Sequence, residues 1–178
     1  MAQQVEIGTA RGKVVSPRLI RSRGLPLTLE RSQVLILAGI VVLGLGLRLR
    51  GLGGIGVAED EVNKIEAVRA DEHGDLRPNA EHPMLMKSLI YLSMQATRAW
   101  QAATGDVVSE EATVRLPNVV FGALTAIPLF LLTAAFFDRR TGLLAATLWS
   151  FGINARTYNR IAKEDTLLVF FLLFAFYF

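Results

Sequence analysis

Apolar residues in this chain come in long uncharged blocks joined by short charged connections, not in short periodic stripes. Sixteen uncharged residues lie between Arg31 and Arg48, 22 between Arg115 and Asp138, 15 between Arg140 and Arg156, and 13 from Thr166 to Phe178. A membrane-spanning helix needs about 20 predominantly apolar residues, with a range of roughly 17–25. The second block meets that length outright, and the first and third meet it when their flanking arginines snorkel to the interface. The pattern therefore predicts an all-α integral membrane protein with about four transmembrane helices, at 32–49, 116–137, 141–156 and 166–178. The last block ends within the run Leu172-Leu173-Phe174-Ala175-Phe176-Tyr177-Phe178. A chain rarely ends inside hydrocarbon, so the expectation is the front part of a longer protein.

Between the first and second blocks lies a polar stretch of 64 residues, 52–115. Gly51-Leu52-Gly53-Gly54-Ile55-Gly56 reads as a flexible lead-in. A short amphipathic helix is predicted over 58–70, since acids in a first turn suit the helix dipole and Ile65 and Val68 share a side. Residues 71–80, with Gly74, Pro78 and Asn79, read as turn and loop. A second helix is predicted over 84–103, but only 10 uncharged residues separate Lys87 from Arg98. That suits a helix lying at the interface or re-entering it, and Tyr91 and Trp100 fit such a depth. In the second block, Pro117 is expected in the first helical turn and Pro128 is expected to kink the helix. Gly39, Gly44 and Gly46 in the first block predict close approach of another helix.

Charge adds an orientation. Residues 1–31 carry Arg11, Lys13, Arg18, Arg21, Arg23 and Arg31 against Glu6 and Glu30, with Pro17 and Pro26 opposing one continuous helix. A signal peptide would need its apolar core nearer the start. The segment reads as a cytoplasmic tail, which sends the first helix from inside to outside, although Arg48 and Arg50 at its exit oppose that assignment. Asp138-Arg139-Arg140 falls inside by alternation and by its charge. The stretch 52–115, with 11 acidic against 6 basic residues, then lies outside together with the connection 156–165. The expected location is the cell membrane, multi-pass, with a cytoplasmic N-terminus.

The chain is 52% hydrophobic, contains no cysteine and has a formal net charge of +3. Absence of cysteine excludes a disulfide framework and cysteine-ligated zinc. The positive charges are scattered at block ends, which argues for topology and against nucleic acid as a partner.

Three segments on the predicted outer side carry candidate chemistry. Glu59-Asp60-Glu61 reads either as a dipole-favoured helix start or as a carboxylate that takes a proton from an acceptor hydroxyl or binds a divalent cation. A base of that kind works best when partial desolvation raises its pKa. In Glu81-His82-Pro83-Met84-Leu85-Met86-Lys87, His82 is held extended by Pro83, and with Lys87 it could present an imidazole and a cation to a phosphate. The alternative is a helix start with a snorkelling lysine. Arg156-Thr157-Tyr158-Asn159-Arg160-Ile161-Ala162-Lys163-Glu164-Asp165 is either interfacial anchoring or a site with Arg160 on phosphate and Asp165 on the acceptor or a metal. Arg115 has the same ambiguity. The Gly51–Gly56 run lacks the lysine and hydroxyl residue of a P-loop, and no nucleophile elbow surrounds any serine.

Taken in order, an acidic pair after the first block, a His-Pro-x-Leu-x-Lys segment, Arg-Leu-Pro opening a block and Arg-x-Ala-x-x-Asp before another resemble one family. That family is the dolichyl-phosphate-mannose–protein mannosyltransferases, glycosyltransferase family 39. The chain is similar in particular to its prokaryotic phospholipid-carrier-dependent branch, which includes the aminoarabinose transferase. Met84 stands where the resemblance would have a second proline. The resemblance runs from about Leu35 to Phe178. It implies the N-terminal part of a C-type glycosyltransferase fold with its active site at the outer face. The implied reaction is inverting transfer of a sugar from a polyprenyl-phosphate carrier to a protein or lipid hydroxyl. It implies Asp60 as catalytic base with Glu61 beside it, Glu81, His82 and Lys87 near the carrier phosphate, and Arg160 and Asp165 completing the site. Partners implied are the sugar donor, the acceptor and the bilayer; whether a divalent cation takes part is left open.

Two other classes fit the bare pattern. A transporter or flippase would place charges in mid-span and pair broken helices, whereas the charges here sit at block ends. A non-catalytic membrane assembly subunit is the other.

Overall fold

The computed structural model describes residues 29–178, so most of the predicted cytoplasmic tail, 1–31, lies outside the described residues. Among the described residues there are eight helices and no strand. They are α1 (Arg31–Leu49), α2 (Glu59–Asp71), α3 (Met84–Thr104), α4 (Glu110–Leu124), α5 (Ala126–Phe136), α6 (Arg139–Phe151), α7 (Ile153–Tyr158) and α8 (Glu164–Tyr177).

Two of these segments are long and apolar enough to cross a membrane: Arg31–Leu49 and the 27-residue path Glu110–Phe136 formed by α4 and α5. The other two predicted spans fold as shorter pieces. Gly152 ends α6 after 13 residues, and the chain resumes as the six-residue α7. At 1.5 Å per residue α6 is about 20 Å long, less than the roughly 30 Å of bilayer hydrocarbon. The last block is helical over Glu164–Tyr177 as α8.

The path α4–α5 begins earlier than Pro117 implies. Ser109 caps it, its side chain accepting from the Ala112 amide, and Glu110 and Glu111 occupy the first turn. Pro117 therefore lies inside the helix, not in its first turn. Its missing N–H leaves the carbonyl of Thr113 without a ladder donor, and Ser93 of α3 donates to that oxygen at 2.6 Å. Pro128 likewise removes the donor for the carbonyl of Leu124, and the helix breaks next to it, at Thr125.

The helices bury two apolar clusters. Leu37, Ile40, Ala126, Phe130, Ala134 and Ala146 join α1, α5 and α6. Ile65, Val68, Met86, Ile90, Met94, Val114, Ala162 and Leu167 join α2 and α3 to α4 and the start of α8. The predicted outer-stretch helices thus dock on the bundle. Of the three glycines expected to allow close approach, only Gly44 does so, against Ser150; an added Cβ at Gly39 or Gly46 would meet nothing.

Arg48, at the exit of α1, is buried rather than a surface charge. It is fully buried and donates to the carbonyls of Gly44, Trp149 and Ser150 and, through two nitrogens, to Asn159 Oδ1 at 3.2 and 3.1 Å.

Candidate active site

The start of α2 sets the site. Adjacent helical residues point about 100° apart, so Asp60 and Glu61 cannot share a face. Glu61 turns inward and is fully buried; the Asp60 side chain is 56% exposed.

Glu61 is saturated with donors. Its Oε1 accepts from Arg115 Nε at 2.8 Å and the Ala162 amide at 2.9 Å. Its Oε2 accepts from Arg115 Nη2 at 2.7 Å and the Ala58 amide at 2.9 Å, the latter being the N3 half of a capping box. Burial alone would push the Glu61 carboxyl up, but Arg115 and the two amides outweigh it and hold the group below its ordinary value. Arg115 spends its remaining donors on the carbonyls of Leu52, Ile55 and Gly56.

The bond to Ala162 fastens the α7–α8 connection to the start of α2. Asn118 of α4 adds a second clamp, its Nδ2 lying 2.7 Å from both the Ile161 and the Lys163 carbonyl oxygens. Asn159 adds a third, accepting from Arg48 and donating to Thr166 Oγ1 at 3.2 Å. Backbone 159–163 is thereby fixed from α1, α2, α4 and α8. The result at the surface is an ion pair between Lys163 Nζ and Asp60 Oδ2 at 2.8 Å. The hydrogen bond from Lys163, with its charge, holds the Asp60 carboxyl below the ordinary carboxylate value and raises the Lys163 amine. This direction is opposite to the raised pKa expected of a desolvated base.

A second set of charges adjoins the first. Lys64, one turn along α2 from Asp60, is buried, with Nζ 3.3 Å from Glu164 Oε1 and 3.4 Å from the Asp60 carbonyl. His82 Nδ1 lies 3.4 Å from the same Glu164 oxygen, and Glu81 is exposed 4.0 Å from His82 Nε2.

The structure thus gathers Asp60 and His82 around the α7–α8 connection, with Glu61 behind them. It keeps other candidates apart. Lys87 is buried and donates to the Asn79 carbonyl at 3.4 Å, making no bond to Asp60 or His82. Arg160 donates to the Gly51 carbonyl at 2.7 Å, and Asp165 is exposed without an ion pair among the described residues. No group of three or more metal-ligating side chains occurs among the described residues. The residues missed from sequence are Lys64, Lys163, Glu164, Asn118 and Asn159. Asn159, Lys163 and Glu164 lie inside the string singled out above, and Lys64 sits one turn from Asp60. Nothing local marks Asn118.

A model of the dolichyl-phosphate-mannose-protein mannosyltransferase family matches residues 83–178. The chain belongs to that family. Together with its two apolar helices, membership makes this a membrane protein of glycosyltransferase lineage, one whose family draws on polyprenyl-phosphate-linked sugars. Arg115, Lys163 and Glu164 lie within the matched residues, whereas Asp60, Glu61 and His82 precede them. No curated protein and no solved structure matches the chain.

Proposed function

We propose that this protein transfers a sugar from a polyprenyl-phosphate carrier to a hydroxyl of a protein or lipid acceptor at the extracytoplasmic membrane face. The observation that carries the reading is an accessible carboxylate, Asp60, paired with Lys163, a cation from the mannosyltransferase-matched part of the chain. Asp60 is the general base. It takes the proton of the acceptor hydroxyl as that oxygen attacks the anomeric carbon, while the bond to the carrier phosphate breaks on the opposite face and configuration inverts. Charge accumulating on the departing phosphate calls for cations already in place, the most effective form of electrostatic stabilisation. Lys163, whose Nζ lies 2.8 Å from Asp60 Oδ2, supports that role better than Lys87 or Arg160. Those two are engaged by backbone carbonyls, Lys87 by Asn79 and Arg160 by Gly51.

Glu61 acts as a positioning residue, since all its acceptor directions are filled. The orientation places the α1–α2 side outside, the Asp138–Arg140 turn inside and the N-terminus in the cytoplasm of a plasma-membrane, multi-pass protein.

Turnover of a labelled polyprenyl-phosphate sugar by the reconstituted intact protein tests the reading. Asp60→Asn is expected to lower turnover by about 10²- to 10⁴-fold, the usual contribution of a general base, with membrane insertion unchanged. Near-normal turnover in that variant removes Asp60 from the mechanism, and absence of donor cleavage by the wild-type protein removes the function.

A further inference from the structure

The Asp60–Lys163 contact conflicts with the reaction it serves. A base and a leaving-group cation must stand on opposite faces of the sugar, yet here they touch at 2.8 Å. The anomeric carbon has no room between them until the pair opens. The backbone of Lys163 is clamped by Asn118 at its carbonyl and by Glu61 at the preceding amide. Its side chain is 43% exposed and free to swing on its flexible stem. Resting on the proposed function above, we propose that Lys163 is a ligand of the carrier phosphate, and that its transfer from Asp60 to that phosphate uncovers the carboxylate, so that donor binding arms the base.

The charges around the Asp60–Lys163 pair support the exchange. Lys64 of α2, His82 of the α2–α3 connection and Lys163 act on Asp60, Glu164 and Asp165 act on Lys163, and the acids Glu59 and Glu61 flank Asp60 in sequence, with Glu61 turned inward. Glu61 is neutralised by Arg115, and Glu164 lies against Lys64 and His82. Lys163 is the cation hydrogen-bonded to the Asp60 side chain. A phosphate carries at least the same charge as a carboxylate with more acceptor oxygens, so it competes for the ammonium on favourable terms. Once Lys163 leaves, Asp60 loses the partner that suppresses its basicity and becomes a stronger proton acceptor.

The test is a titration of Asp60 in the intact protein in nanodiscs, followed by its side-chain carboxyl ¹³C shift, with and without a short-chain polyprenyl phosphate. In the wild type the ligand is expected to raise the titration midpoint. In Lys163→Met the midpoint is already raised without ligand and does not move further when ligand is added, and affinity falls about 10-fold or more, as for a lost charged hydrogen bond. Lys163→Arg restores binding and the shift. Wild-type binding with an unmoved Asp60 midpoint overturns the proposal, as does undiminished affinity in Lys163→Met. If sugar turnover persists in either case, the proposed function stands and only this coupling falls. Failure of the wild type both to bind the phosphate and to turn over donor overturns both.

Discussion

At the first turn of α2 a rotation of about 100° separates two carboxylates that are identical in kind to within one methylene. Glu61 enters a pocket of donors and becomes a structural ion with Arg115; Asp60 faces the surface and keeps its chemistry. Removing one member of a buried, hydrogen-bonded pair leaves the other uncompensated and costs about 3–5 kcal/mol. Glu61→Gln is therefore expected to lower the unfolding midpoint strongly, whereas Asp60→Asn leaves it nearly unchanged. Thermal unfolding in detergent separates the two. The pH dependence follows from direction. Glu61 is held below its ordinary 4.5 in the fold, so its contribution is present above that value and fades as pH falls through the lower folded pKa. Stability should hold at neutral and mildly acidic pH and decline below about 4.5, with a shallower decline in Glu61→Gln. An equally steep decline in that variant assigns the acid sensitivity to other groups.

Helices alone do not build the site; the connection between α7 and α8 does, and it is held by polar side chains from four helices. Asn159 is the most constrained of these, packed directly over Gly122 of α4. A Cβ at Gly122 would collide with the Asn159 side chain and force it off Arg48 and Thr166. Gly122→Ala should therefore displace Lys163 from Asp60 although neither residue is altered. Misplacement of about 1 Å can cost on the order of 100-fold in rate. Turnover in Gly122→Ala is expected to fall by that order while the protein still inserts in the membrane; unchanged turnover would show that the connection tolerates the shift. The same element logic explains Pro117, which stays in mid-helix because Ser93 supplies the donor that proline lacks.

Over the whole molecule, large apolar side chains are exposed along several helices. Leu35, Val42 and Leu43 of α1, Leu144 and Leu148 of α6, and Leu168 and Phe176 of α8 are all exposed, an apolar surface suited to lipid. With no native cysteine, single-cysteine variants report sidedness directly. Val107→Cys, in the exposed α3–α4 connection, is expected to react with a membrane-impermeant maleimide on intact cells. Phe137→Cys, in the α5–α6 turn, should react only after permeabilisation. Reversed reactivity inverts the orientation and places Asp60 in the cytoplasm.

The sequence alone determined the helical class, the two long apolar helices and the two helices of the stretch 52–115, because block length and first-turn acidity act locally. Helix 58–70 is observed as Glu59–Asp71 and helix 84–103 as Met84–Thr104. Where Pro128 is expected to kink the helix, the helix is interrupted at Thr125. What only the tertiary structure decided is which charges are used. Arg48 and Glu61 look like surface groups in a linear string and are buried because partners 54 to 111 residues away satisfy them. Lys163 meets Asp60 only because Asn118, Asn159 and Glu61 dock a distant connection on the start of α2. Such pairings depend on the direction of each side chain after the helices pack, and no local period records that direction.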